Sequence, residues 1–220
     1  MLTIHFKKLL YLIVLIGVNT AHAGSFEDFF KALETDDART VQQLLIRGFD
    51  PNTLDTKGQH SLYIAIREPA PKVLQLLMDS RSVNLNILNP AGESPLMIAS
   101  LKGDVVTADK LVKKGADVNK TGWTPLHYAA SNGHADVVKL LLENHAYIDA
   151  ESPNGTTPLM MASMYGSPQV VKLLVEEGAD PMVKNQQGLT ALQFAERAKR
   201  PDAIEFLQKT IRAKQATGKW

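Results

Sequence analysis

Apolar residues in this chain return in blocks about every 33 positions, a period that has to be read before any single element. The block Gly122-Trp-Thr-Pro-Leu-His-Tyr-Ala-Ala130 recurs as Gly155-Thr-Thr-Pro-Leu-Met-Met-Ala-Ser163 and as Gly92-Glu-Ser-Pro-Leu-Met-Ile-Ala-Ser100, with weaker copies from Gly58 to Ile66 and from Gly188 to Glu196. The matching leucines, Leu62, Leu96, Leu126, Leu159 and Leu192, are spaced 34, 30, 33 and 33 residues apart. A second apolar block follows each alanine. Ala129 leads to Gly133, Val137-Val138 and Leu140 to Leu142; Ala162 leads to Gly166, Val170-Val171 and Leu173 to Val175; Ala99 leads to Gly103, Leu111-Val112 and Gly115-Ala116. Each unit therefore predicts two short helices and then an extended turn. The Ser or Thr before Pro-Leu supplies an N-cap, and the proline takes the first helical position, where no N–H is needed. Gly103, Gly133 and Gly166 stop the first helix. Pro71, Pro168 and Pro201 open the second at one common offset, and Gly58, Gly155 and Gly188 allow the positive φ of tight turns.

Through Thr124-Pro125-Leu126-His127-Tyr128-Ala129-Ala130 and the Gly-Ala-Asp triplets at 115–117 and 178–180, the sequence resembles the ankyrin-repeat family over nearly all of residues 25–211. The resemblance implies an all-α solenoid of helix-turn-helix units joined by short β-turn fingers. About six repeats are expected, at 25–55, 56–89, 90–119, 120–152, 153–185 and 186–211, within a domain of 24–211 followed by a basic tail at 212–220. The first unit lacks the Thr-Pro-Leu-His segment but keeps Ala32, Val41, Leu44-Leu45 and Gly48 at the expected offsets. Its Glu27, Asp28, Glu34, Asp36 and Asp37 suit the solvated end cap that a stack of repeats requires.

The first 23 residues have the layout of a secretory signal peptide: Lys7 and Lys8, an apolar run from Leu9 to Val18, and Ala21-His22-Ala23 as cleavage site. A spanning helix is the alternative, but the run covers only about half of the ~20 residues a bilayer core requires. Cleavage removes two lysines and no acid from 24 basic and 23 acidic residues, so the remainder is close to neutral and lacks a basic nucleic-acid footprint. The one cationic cluster is the tail from Arg212 to Lys219. Cysteine is absent, so neither disulfides nor a thiol-borne lipid enter the picture. With the family resemblance, the compact leader points to a bacterial periplasmic protein without a membrane span after cleavage, and a monomer is expected.

Departures from the repeat carry the functional reading. Asn119 to Gly122 is three residues shorter than the matching stretch at Asp149 to Gly155, which predicts a blunt finger opening a groove beside Trp123; simple loop tolerance is the competing account. In the family the residue after the turn glycine and the two before the helix-ending glycine face the groove. Carried over, these are Gln59, Arg67 and Glu68; Glu93, Leu101 and Lys102; Trp123, Ser131 and Asn132; Thr156, Met164 and Tyr165; and Leu189, Arg197 and Ala198, with Tyr128 and Met161 adjoining. Packing between helices is the alternative for Leu101, Met161 and Leu189. Glu68-Pro69-Ala70-Pro71 replaces the usual glycine stop with a stiff turn. The tail ending at Trp220 is either a frayed extension or a segment covering the last repeat.

Catalytic chemistry has little to build on. His60, His127, His134 and His145 form no ligand pair of helical spacing, His127 belongs to the repeat turn, and neither Gly-x-Ser-x-Gly nor a phosphate-binding loop is present. Asp117, Asp149 and Asp180 read as equivalent turn residues. Asn119-Lys120-Thr121 and Asn154-Gly155-Thr156 match the glycosylation triplet, which matters only in a eukaryote. No metal and no cofactor are expected. The reading is a non-enzymatic module holding a protein partner, with a protective or immunity protein against a secreted enzyme, or an envelope scaffold, as its forms. A hydrolase site between repeats is the outlying alternative.

Overall fold

A computed structural model describes residues 24–217; the leader 1–23 and residues 218–220, with Trp220, lie outside them. Among the described residues there are twelve helices and no strand beyond an isolated bridge between Leu54 and His60. The chain divides into two compact units, the first ending at Asn84 and the second beginning at Leu85.

The first unit holds α1 (24–34), α2 (Ala38–Ile46), α3 (Ser61–Arg67) and α4 (Pro71–Asp79). Its core is anchored by Phe29, fully buried with its ring 4.4 Å from that of Phe49. Helices α3 and α4 form a hairpin, and α2 packs on α4. The turn between α3 and α4 has no positive φ: Glu68 sits at φ −93° and Pro71 opens α4, so two prolines do what glycine does elsewhere. Of the acidic residues expected to form a solvated cap, Glu27, Asp28 and Glu34 are exposed, whereas Asp36 and Asp37 serve the fold. Asp37 caps α2, its carboxyl held below the usual range by the Thr40 hydroxyl. Asp36, itself at φ 54°, accepts the backbone N–H groups of Lys72 and Val73 at 2.9 Å each and so ties the α1–α2 turn to the first turn of α4. Asp36→Ala should cost about 2 kcal/mol by urea unfolding, and Asp36→Asn, which keeps an acceptor and tolerates positive φ, less than half of that. Equal losses would show that a neutral acceptor at this position cannot replace the carboxylate.

The second unit stacks four hairpins: α5 (Pro95–Lys102) with α6 (Val105–Lys113), α7 (Pro125–Ser131) with α8 (Ala135–Glu143), α9 (Pro158–Tyr165) with α10 (Pro168–Glu176), and α11 (Ala191–Arg197) with α12 (Pro201–Thr217). The first helices pack in the order α5, α7, α9, α11, and the second helices form the other layer. Ala99, Ala129, Ala162 and Ala195 are buried in first helices that pack on one another, where a small side chain favours close packing. Leu96, Leu126 and Leu159 are buried completely, each adding about 1.5–3 kcal/mol. Leu192 is only half-buried: among the described first helices, α9 alone packs on α11. The basic tail is helical through Thr217, as a continuation of α12.

Two of the three expected side-chain caps form, and at Thr124 the His127 ring accepts the threonine N–H instead. Ser94 and Thr157 accept the N–H groups of Met97 and Met160. Gly103 ends α5 at φ 70°, but Gly166 ends α9 in an extended conformation at φ −77°. Its need for glycine is therefore contact and not backbone shape: a Cβ there would lie 2.3 Å from the Ala130 carbonyl oxygen.

The fingers share one tip. At Asp55 in the first unit, and at Asn89, Ser152 and Asn185 in the second, the tip residue exchanges two backbone hydrogen bonds across the turn while its side chain accepts backbone N–H groups. The finger at 119–122 has neither backbone bond; the Lys120 ammonium instead donates to the carbonyls of Thr121 and Trp123. Below the tips runs a ladder of side chains. Asn52 accepts the N–H of Asn84 in the first unit; in the second, Asn86, Asn119 and Asp149 accept those of Asp117, Tyr147 and Asp180. Asp149 is thus the counterpart of Asn119, not of Asp117 and Asp180, and the equivalence read from the sequence is corrected. The two side-chain bonds of Asn119 also hold its amide within the fold.

Candidate functional site

Within the second unit, two adjoining hollows lie between the fingers and the first helices, with Trp123 and Met161 lining both. Gly122 at φ 81° turns the short finger back, and Trp123 follows it onto the face of α7, where its ring meets His127 edge-on at 5.2 Å. The indole is half-buried, neither absorbed into the core nor free in solvent.

The first hollow, about 220 Å³, is lined by Leu101, Trp123, His127, Tyr128, Ser131 and Met161. Its hydroxyls and imidazole are already engaged. The Tyr128 hydroxyl donates to Glu93 at 3.0 Å, and burial together with that carboxylate raises the phenol pKa, so the group remains a donor. Ser131 donates to the Tyr128 carbonyl, as does the exposed Asn132, closing the end of α7. His127 Nδ1 accepts the N–H of Thr124 at 3.2 Å, which leaves the proton on Nε2 to donate to the Thr156 carbonyl at 2.9 Å. Burial holds this histidine at a pKa of about 4.

The second hollow, about 280 Å³, adds Met164, Tyr165, Leu189, Phe194 and Arg197 to the shared wall. Tyr165 is 59% exposed and Leu101 37% exposed, while Met161, Met164 and Leu189 are half-buried. These last three face the hollows and are not consumed between helices.

Two sets of expected groove residues behave differently. Thr156 lines the second hollow but is only 2% exposed, and its N–H and carbonyl are taken by Ser152 and His127, so it holds the finger and offers a partner little surface. Lys102 and Asn132 are exposed but line neither hollow, and Glu93 reaches the first only through Tyr128. In the first unit, Arg67 donates to both Gln59 and Glu68 and lies 5.6 Å above the Tyr63 ring, a polar network and not an apolar face. The sequence reading missed Phe194 and the finger carboxamides of Asn154 and Gln187. Phe194 stands two residues after Leu192 as Tyr128 does after Leu126, so the repeat itself carried the signal.

Histidine is used structurally in both units. His60 caps α3 and is pushed down to about 4 by burial, and His134 bonds the Leu101 carbonyl. Among the described residues, no group of three or more His, Asp or Glu is placed to hold a metal ion, and no helix is long and apolar enough to cross a membrane.

Comparison with known proteins agrees with this architecture. The family profile of ankyrin repeats (3 copies) matches at residues 29–121, 70–152 and 146–216. The mouse B-cell lymphoma 3 protein homolog is 34% identical over 122 residues, which are 52% of this chain and 27% of that protein. Mouse protein phosphatase 1 regulatory subunit 27 is 39% identical over 79 residues, 34% of this chain and 51% of that one. The chain thus spans about a quarter and about half of these relatives. Among solved structures, the ankyrin repeat protein EF0377 is similar at a TM-score of 0.73 and 29% identity, covering 82% of this chain and 96% of its own. A chain from the complex of the predatory endopeptidase Bd0816 of Bdellovibrio bacteriovorus with the immunity protein Bd3460 is similar at 0.72 and 28%, covering 83% and 97%. With the profile matched almost from end to end of the described helices, this chain belongs to the ankyrin-repeat family.

Proposed function

We propose that this protein is a non-enzymatic binding module of the bacterial periplasm that holds a protein partner in the groove of its second unit. Ankyrin repeats are protein-protein interaction modules, and the observation that carries the finer reading is the pair of hollows joined at Trp123 and Met161. Of the roughly 150–250 Å² an indole can bury, at least half is already covered in the free protein, which at ~25 cal/mol/Å² leaves at most ~2–3 kcal/mol before the costs of association. Such aromatic anchors dominate interfaces.

Capture from an envelope extract tests the groove. Trp123→Ala with Tyr165→Ala should leave thermal unfolding nearly unchanged and weaken capture of the principal partner by about 2 kcal/mol or more. Undiminished capture would place the binding face elsewhere. Periplasmic placement rests on the leader sequence, and mass spectrometry of the protein from its native envelope should find Gly24 as first residue; Met1 retained in a membrane fraction would overturn it.

Two forms of this function remain, protection and scaffolding. Similarity to a chain from an endopeptidase and immunity protein complex favours protection against an exported hydrolase. The partner should then lose activity when bound at the groove, whereas a scaffolded enzyme would keep it.

A further inference from the structure

The two hollows differ in what they leave unpaired. In the first, the hydroxyls of Tyr128 and Ser131 and both nitrogens of His127 are committed within the protein, so what remains for a visitor is apolar wall and the indole N–H of Trp123. The second presents spare donors. Arg197, exposed on the last turn of α11, is its one ionised lining residue, and no ion pair or hydrogen bond engages the guanidinium among the described residues. The Asn154 oxygen accepts from Ser152 and Thr156, which leaves its NH₂ group available, and the Gln187 side chain lines the same hollow. No carboxylate lines either hollow.

Resting on the groove assignment above, we propose that the occupant is an acidic segment of a protein partner: one apolar side chain seated against Trp123, Tyr128 and Met161, and an Asp or Glu carboxylate beside Arg197, Asn154 and Gln187. The shared Trp123–Met161 wall puts both anchors within one short extended stretch. A guanidinium is suited to this task because its fork of N–H groups matches a carboxylate in two places. A cationic segment would meet Arg197 with no acid to offset it.

The test uses a displayed library of random linear 12-residue peptides selected on the purified mature protein, with dissociation constants of the enriched peptides then measured on variants. Support would be peptides that pair an apolar residue with an acid, bind about tenfold or more weakly to Arg197→Glu and to Trp123→Ala, and regain affinity for Arg197→Glu when the acid is changed to Lys. Arg197→Gln should fall between wild type and Arg197→Glu. Peptides that need Trp123 but bind Arg197→Glu equally or more tightly would overturn the acidic partner and leave the groove standing. Enriched peptides indifferent to Trp123→Ala and Tyr165→Ala, or no enrichment at all, would overturn both. Circular dichroism of each variant separates lost binding from lost fold.

Discussion

Gly166→Ala is expected to destabilise the second unit by about 3 kcal/mol, equivalent to a fall of roughly 6–12 °C in unfolding temperature for a chain of this size. The backbone at Gly166, φ −77° and ψ −159°, is open to any residue, so none of this loss comes from strain. It comes from contact: the added Cβ would lie 2.3 Å from the Ala130 oxygen and 2.9 Å from the Ala162 Cα. Both are backbone atoms of helices packed against each other, α7 and α9, and neither can swing aside as a side-chain end would. The Gly166 carbonyl also accepts from Arg200 at the end of the α11–α12 turn, so relief of the clash would disturb the next repeat. Gly92→Ala is the control. Gly92 has positive φ, 77°, but its Cβ would meet nothing within 4 Å, so only the left-handed penalty of about 1–2 kcal/mol applies. Chemical denaturation of both variants decides the matter: if Gly166→Ala loses no more than Gly92→Ala, the close approach of α7 and α9 is not what demands glycine.

Acid should weaken both units before their carboxylates titrate, because each contains a buried neutral histidine. His60 and His127 move from the ordinary 6.5 to about 4 through burial. A folded pKa below the unfolded one means that, between those values, the unfolded chain takes up a proton the folded chain refuses. The stabilisation is therefore complete above about pH 6.5, declines as the pH falls, and is exhausted below about 4. A shift of this size is worth on the order of 3 kcal/mol per histidine, about 2 of it gone by pH 5. Urea unfolding at a series of pH values from 7 to 5 measures the slope. His127→Gln isolates one contribution with little disruption, since Gln193 fills the same position in α11 and accepts the N–H of Thr190 at 2.8 Å. In that variant the second unit should lose its dependence over this interval. A slope unchanged by the substitution would show that His127 takes its proton within the fold.

The residues divide by what their roles depend on. The caps at Ser94 and Thr157, the first-turn prolines and the glycines of the fingertips were legible because each is a local matter of φ, a missing N–H or an oxygen within three or four positions. The groove was legible in outline: Trp123, Tyr165, Met164 and Leu189 followed from their register in the repeat, and the hollows do form around them. Phe194 was equally legible and overlooked, one repeat beyond Tyr128 and Met161 in the same register.

What the sequence could not decide lies about one repeat away along the chain. Asp36 reads as a solvated acid until α4 is folded beneath it, and Asp149 as a turn acid until its carboxylate meets the N–H of Asp180. Thr156 reads as an open groove residue, and it does line the second hollow, but His127 and Ser152 take its backbone groups. Gly166 reads like Gly103, although Gly103 answers to φ and to the His134 ring, and Gly166 to a neighbouring backbone. By itself, the sequence determined that the chain builds capped helical hairpins in register, since those choices rest on covalent geometry and hydrogen bonds within a few residues. Tertiary structure alone decided which polar groups are spent between repeats and which stay open in the hollows, since that depends on distances between atoms some 30 positions apart.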